Sequence, residues 1–175
     1  DFKEFVQEMA EEGIHLVPII DAGVKKEEGY DVYEEGVQKG YFCKKEDGSN
    51  FVAGVWPGKV CFPDMLNDDA RKWFGNKYQF LLEQGIEGFW NDMNEPAIFY
   101  SEEGIQEVNK AIAAYAKELE GKGSEQVAGD DEGEDIMNNA NALPGEVRSK
   151  MEQLQNNPED YKRFYHNVNG KLVRH

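Results

Sequence analysis

Positive charge is scarce in this chain. Its 175 residues include 19 Lys and Arg against 35 Asp and Glu, for a net charge of −16. A field of that sign repels phosphate backbones and anionic membrane surfaces, which argues against nucleic acid and membranes as partners and is compatible with a neutral substrate. No apolar run approaches the roughly 20 residues that span a bilayer, and no signal peptide opens the sequence. Cysteine is nearly absent too. Cys43 and Cys61 fit no zinc-binding spacing, and the expected state is two buried thiols in a reducing compartment, with a disulfide as the alternative. The three histidines, His15, His166 and His175, show no metal-ligand spacing. The acidic run GDDEGEDIMN, residues 129–138, has its glycine in the wrong place for a calcium loop. No metal and no cofactor is therefore expected. The sequence starts at Asp1 without a Met and stops at His175 within a polar, β-like stretch, so we expect a segment of a longer protein. Cytoplasmic placement is the expectation, to be overturned by any upstream leader.

What is present has order. Residues 2–12 read as an amphipathic helix carrying Phe5, Val6 and Met9, with Asp1 as cap and Gly13 as stop. IHLVPII, residues 14–20, is an apolar run ending at Asp21, as in a strand of a parallel sheet buried on both faces. Pro18 cannot donate to a ladder, so a strand end or bulge is expected beside it. A second helix is predicted over 68–84, capped by Asn67 and stopped by Gly85, with Ala70, Trp73, Phe74, Tyr78 and Leu81 on its buried side. A strand over about 86–91 follows and ends on Asp92.

Helix–strand alternation of this kind implies parallel strands with helical crossovers. Residues 22–66, between the units, show little regular pattern. A connection of that length is usually functional, and in parallel α/β folds the loops after the strands build the site. Asp21 and Asp92 would then face one mouth.

From 101 to 160 the composition shifts to 15 acidic and 5 basic residues. Ile105, Val108, Ile112, Tyr115 and Leu119 mark a helical stripe, residues 121–135 an acidic loop, and further helices are predicted near 145–155 and 158–165, the latter with Asn157 as cap and Pro158 in first position. Residues 166–175 read as a hairpin turning at Asn169-Gly170. The division expected is a barrel segment over 1–100, a mostly helical acidic insertion over 101–165, and the hairpin.

The stretch with the most chemistry is GFWNDMNEP, residues 88–96. Carboxylates are strongly hydrated and sit beside Phe and Trp only where something holds them. A carboxylate at a rigid strand tip can act as metal ligand, general base or nucleophile. Glycoside chemistry suits the composition, because a sugar offers apolar C–H faces to aromatic walls and hydroxyl edges to carboxylates and amides. Its oxocarbenium-like transition state is stabilised by a fixed negative charge. Trp56, Trp90 and Phe99 could form walls; Asp21, Asp92 and Asn94 could make polar contacts. The plainer alternatives are a strand-end cap for Asp92, framework turns for Asn94 and Glu95, core packing for Trp56 and Trp90, a core position for His15 and a helix or turn cap for Asp64.

WNDMNEP, residues 90–96, resembles the nucleophile signature of glycoside hydrolase family 31, the α-glucosidase and α-xylosidase family. Three further stretches resemble that family in order: IIDAGV (19–24), GVWPGKVCFPDM (54–65) and GIEGFWNDMNEPAIF (85–99). The resemblance covers about residues 1–100. It implies a (β/α)8 TIM barrel, with these strands as its third and fourth. It also implies a retaining, exo-acting α-glucosidase acting through a covalent glycosyl-aspartate on Asp92. Met93, Trp56 and Val24 would line the pocket for the terminal sugar, Phe99 would flank the leaving-group subsite, and Asp21 belongs to the same strand-end segment. The substrate implied is a small oligosaccharide or α-glucoside.

Alternatives on the same scaffold are α-xylosidase, transglycosylase or α-glucan lyase; a non-catalytic carbohydrate-binding module is the alternative from another class. Ala22 stands where the family commonly has Pro, and Val24 is a methylene smaller than the usual Ile. His166-Asn167 is similar to the family's HN…G segment, with Asn169 where an aromatic is usual. Nothing matches the WxGD-type segment that carries the family's acid/base, which is expected outside this segment.

Overall fold

The computed structural model describes residues 1–120 and 145–175. Helix α1 (Phe2–Glu11) starts at Asp1, whose carboxylate accepts the Glu4 N–H while Glu4 reaches back to the terminal amine, and its C-terminal turn gives way at Gly13, φ 77°. Strand β1 (Ile19–Asp21) begins only after Pro18, shorter than the apolar run suggests. Pro18 still contributes its carbonyl, which accepts the Trp90 N–H at 3.0 Å. Residues 14–17 carry no strand, and His15 lies beside Glu87 at 3.3 Å.

Residues 22–66 are the main correction. They form strand β2 (Val24–Lys25), helix α2 (Asp31–Lys39), and the hairpin of β3 (Val52–Val55) and β4 (Gly58–Cys61). With β6 (Tyr100–Ser101) these strands make an antiparallel sheet in the order β2-β4-β3-β6. Val55 pairs with Gly58, so Trp56 and Pro57 are the two-residue tip, and Gly58 takes φ 90°, which a side chain would resist.

Helix α3 (Asp68–Lys77) has the Asn67 side chain accepting the N–H groups of Asp69 and Ala70. The predicted single helix is broken at Tyr78 and resumes as α4 (Gln79–Leu82). Strand β5 (Trp90–Asp92) then lies parallel to β1, with Ile19 opposite Trp90, Ile20 opposite Asn91 and Asp21 opposite Asp92. The pair is the parallel, helix-connected unit the alternation implied.

Helix α5 (Glu102–Glu120) and helix α6 (Gly145–Leu154) bury Val108, Val147 and Met151 against each other, with Ile112, Tyr115 and Leu154 at the margin. Helix α7 (Pro158–Tyr161) is capped by Asn157 and leads to the hairpin of β7 (Tyr165–Val168) and β8 (Lys171–Arg174). Asn169 and Gly170 both take positive φ, 52° and 80°, as a tight two-residue turn demands. The acidic loop expected over 121–135 and the Leu119 side chain lie outside what is described. No described helix is long and apolar enough to cross a membrane.

Two cores hold the first hundred residues together. One gathers Cys43, Phe51, Ala53, Val55, Val60, Phe62, Ile98 and Phe164; the other gathers Val24, Phe42, Val52, Cys61 and Trp73. Both cysteines are free and buried. Gly36, inside α2, is where helix propensity and packing disagree. Alanine gains about 1 kcal/mol over glycine in an open helix, but a Cβ here would stand 2.6 Å from Phe42 Cε2 and 2.9 Å from Trp73 Cη2. Overpacking of that kind costs about 1–3 kcal/mol. Gly36→Ala is therefore expected to lower the thermal midpoint of the complete protein, and a raised midpoint would show that the two rings move aside freely.

Candidate active site

Asp92 ends β5 and Asp21 ends β1, paired in register. Residues opposite one another on parallel strands send their side chains to the same side, so the two carboxylates leave the strand ends together. Asp92 is exposed, and its Oδ1 accepts the Met93 N–H at 2.9 Å. One residue earlier, the Asn91 carboxamide oxygen accepts the Tyr78 hydroxyl at 2.6 Å, which ties the strand to the turn between α3 and α4. Tyr78 in turn packs edge-on against Phe89 at 4.8 Å. The nucleophile candidate thus sits on backbone anchored from both flanks, by the β1 ladder and by Tyr78.

The aromatic walls come from the antiparallel sheet. Trp56, at the tip of the β3–β4 hairpin, is 67% exposed and meets Phe99 edge-to-face at 5.0 Å. Phe99 and Met93 both rest on the core around Phe51, Val60 and Phe164. Met93 takes φ 53°, an unfavourable backbone for a residue with a side chain, so the chain turns sharply after Asp92. Asp92 and Asp21 end the parallel strands, and the segment after Asp92 brings Met93 and Phe99 onto the core of the hairpin, where Phe99 meets Trp56. Trp90, the first residue of β5, is 56% exposed among the described residues.

Val24 does not join them. It is 4% exposed and packed with Phe42, Val52, Cys61 and Trp73. The pocket-lining role implied for it is corrected to a core role, because pairing of Val24 with Cys61 turns its side chain into the sheet's buried face.

A second polar cluster lies below the hairpin and was not legible as a site. Asp64 is fully buried; its Oδ1 receives His166 Nδ1 at 2.8 Å and the Leu66 N–H at 3.2 Å, and its Oδ2 receives the Asn167 N–H at 2.5 Å. The turn-capping role expected for Asp64 is the smallest part of this. Cys43 Sγ stands 3.8 Å from the same His166 nitrogen. These donors suit a structural zinc poorly. His166 Nδ1 is already committed to Asp64, burial and the Asp64 charge push the Cys43 thiol well up and keep its proton, and three groups do not close a tetrahedral shell. The cluster ties the segment around Asp64 to the β7 hairpin.

The sequence profile of the "Glycosyl hydrolases family 31 TIM-barrel domain" matches residues 1–174. The chain belongs to glycoside hydrolase family 31. The match runs through the last third as well, beyond the motifs that carry the resemblance. Among curated relatives, "Alpha-glucosidase 2" of Bacillus thermoamyloliquefaciens is 48% identical over 99 residues, which is 57% of this chain and 13% of that protein. "Alpha-glucosidase" of Saccharolobus solfataricus is 34% identical over 110 residues, 63% of this chain and 16% of the relative. The solved family 31 α-glucosidase from Bacteroides thetaiotaomicron superposes with a TM-score of 0.52 at 38% identity, covering 55% of this chain and 16% of that one. A DNJ-bound glucosidase II alpha subunit gives the same TM-score at 33% identity, over 56% of this chain and 11% of that one. The family 31 chain described here thus spans about one-eighth to one-sixth of the two curated relatives named, and its fold is a portion of the TIM barrel.

Proposed function

We propose that the complete protein is an exo-acting α-glucosidase that hydrolyses α-linked glucosides with retention, using Asp92 as nucleophile. The observation that carries this reading is the pairing of Asp21 with Asp92 at the ends of neighbouring parallel strands, with Met93 and the Trp56–Phe99 pair beside them. The two curated relatives named above, both called α-glucosidases, support the substrate class.

In the first step Asp92 attacks the anomeric carbon while the bond from that carbon to the leaving oxygen breaks. A second carboxylic acid about 5 Å away protonates the leaving oxygen, and no residue of this chain is assigned that role. In the second step the resulting carboxylate takes a proton from water, whose oxygen displaces Asp92 from the sugar. Asp21 would accept a hydrogen bond from a sugar hydroxyl or support the strand end, and Trp56 and Phe99 would offer an apolar edge to the ring. Residues 101–165 are read as an acidic, mainly helical insertion on the barrel.

The test is covalent trapping. A fluorinated α-glucosyl inactivator, incubated with the complete protein and followed by peptide mapping, should leave its mass on the peptide containing Asp92. Label on any other carboxylate would refute the assignment. Matched aryl α-glucosides and α-xylosides should be turned over with the glucoside preferred; preference for the xyloside would move the enzyme to the α-xylosidase branch.

A further inference from the structure

The arc after the nucleophile, Met93–Phe99, has little regular structure to hold it. Among the described residues its internal backbone support is Ala97 N–H to the Met93 carbonyl at 3.2 Å. Two outside bonds hold its far end: the Phe99 N–H donates to Gly54, and the Phe99 carbonyl accepts from Asn156 at 2.8 Å. Nearer to Asp92, the support comes from a side chain. The hydroxyl of Tyr161 donates to the Pro96 carbonyl at 2.9 Å. Tyr161 ends α7, 65 residues away in sequence, and its ring rests on the same core that supports Met93 and Phe99. Burial pushes its phenol pKa up, so the donor proton stays in place at neutral pH.

A backbone turned into the left-handed region at Met93 persists only when its surroundings over-determine it. The Tyr161 bond is the side-chain contact that supplies this to the middle of the arc among the described residues. We infer that Tyr161 is a positioning residue for the nucleophile, fixing Pro96 and, through the Met93–Pro96 arc, the direction in which Asp92 points. The inference rests on the reading of Asp92 as nucleophile, and it ties the last third of the chain to the chemistry of the first.

Tyr161→Phe removes one oxygen and keeps the ring in the core. In the complete protein, inactivation by a fluorinated α-glucosyl fluoride separates binding (Ki) from the covalent step (ki). Tyr161→Phe should lower ki about fivefold, the size set by one neutral hydrogen bond, with Ki within twofold of wild type. Val147→Ala, which loosens the α5–α6 core away from the arc, serves as the stability control and should leave ki unchanged. Unchanged ki in Tyr161→Phe overturns the proposal, as does an equal fall in Val147→Ala, which would make general loosening the cause. Wild-type label on a carboxylate other than Asp92 removes the nucleophile reading and the role of Tyr161 with it. Label on Asp92 with an unaltered Tyr161→Phe rate removes Tyr161 alone.

Discussion

Asp92→Ala in the complete protein should fold normally and lose turnover by about 10⁴-fold or more, the scale on which removal of a covalent nucleophile acts. Folding should survive because the hydrogen bond that Asp92 makes in the structure is to its neighbour's N–H. The β1–β5 ladder and the Tyr78–Asn91 bond, which place the strand, do not depend on it. Sugar binding should persist, so KM or the affinity for an unreactive glucoside should change far less than kcat. The stereochemistry offers a sharper check. With the carboxylate gone, azide entering the vacated face would form a bond to the anomeric carbon as an activated aryl leaving group departs, giving the β-glucosyl azide from an α-glucoside. Recovery of that inverted product would identify the face that Asp92 occupies. A variant that keeps a tenth of wild-type turnover, or yields only the α-azide, would show that another group attacks.

The parts of this architecture that could be read in advance are those governed by near neighbours. Asn67 and Asn157 cap helices because their short amides reach N–H groups two or three residues on. Asn169-Gly170 turns a hairpin because both positions accept positive φ. The juxtaposition of Asp21 and Asp92 followed from helix–strand alternation, which makes successive strands parallel and brings their ends to one side.

The sheet within residues 22–66 was hidden for a physical reason. Its strands have two to four residues, β3 is buried along its whole length so that no alternation shows, and Gly54 within it weakens the β signal. Its fourth strand, Tyr100–Ser101, lies beyond the WNDMNEP motif. The helix predicted over 68–84 lost its continuity at Tyr78, just after Gly75 and Asn76, two weak helix formers. Val24 was misplaced because a resemblance carries a position across without saying which way the strand faces. The Asp64–His166 bond joins residues 102 apart, and no local pattern announces such a partner.

That bond leads to the largest stability effect we expect. Asp64 gathers donors from His166, Asn167 and Leu66 with no access to water. It therefore joins the strap below the Trp56 hairpin to the β7 strand. The same junction carries a reciprocal backbone pair, Lys44 N–H to the Tyr165 carbonyl at 2.8 Å and Tyr165 N–H to the Lys44 carbonyl at 2.9 Å. Removing one partner from a buried hydrogen-bonded cluster costs about 1–3 kcal/mol, because the groups left behind are neither paired nor hydrated. Asp64→Ala should therefore raise amide exchange at Lys44 and Tyr165 by about 10- to 10²-fold, where opening of the junction exposes them. His166→Ala should do nearly as much.

The double variant should be far less damaging than the sum, with a coupling of about 1–3 kcal/mol, since each single change already removes the shared bond. Exchange at Val108 and Val147, in the α5–α6 core, serves as the internal reference and should stay near wild type. Additive effects of the two substitutions would mean that Asp64 is held by its backbone donors alone, and that the histidine merely fills space beside it.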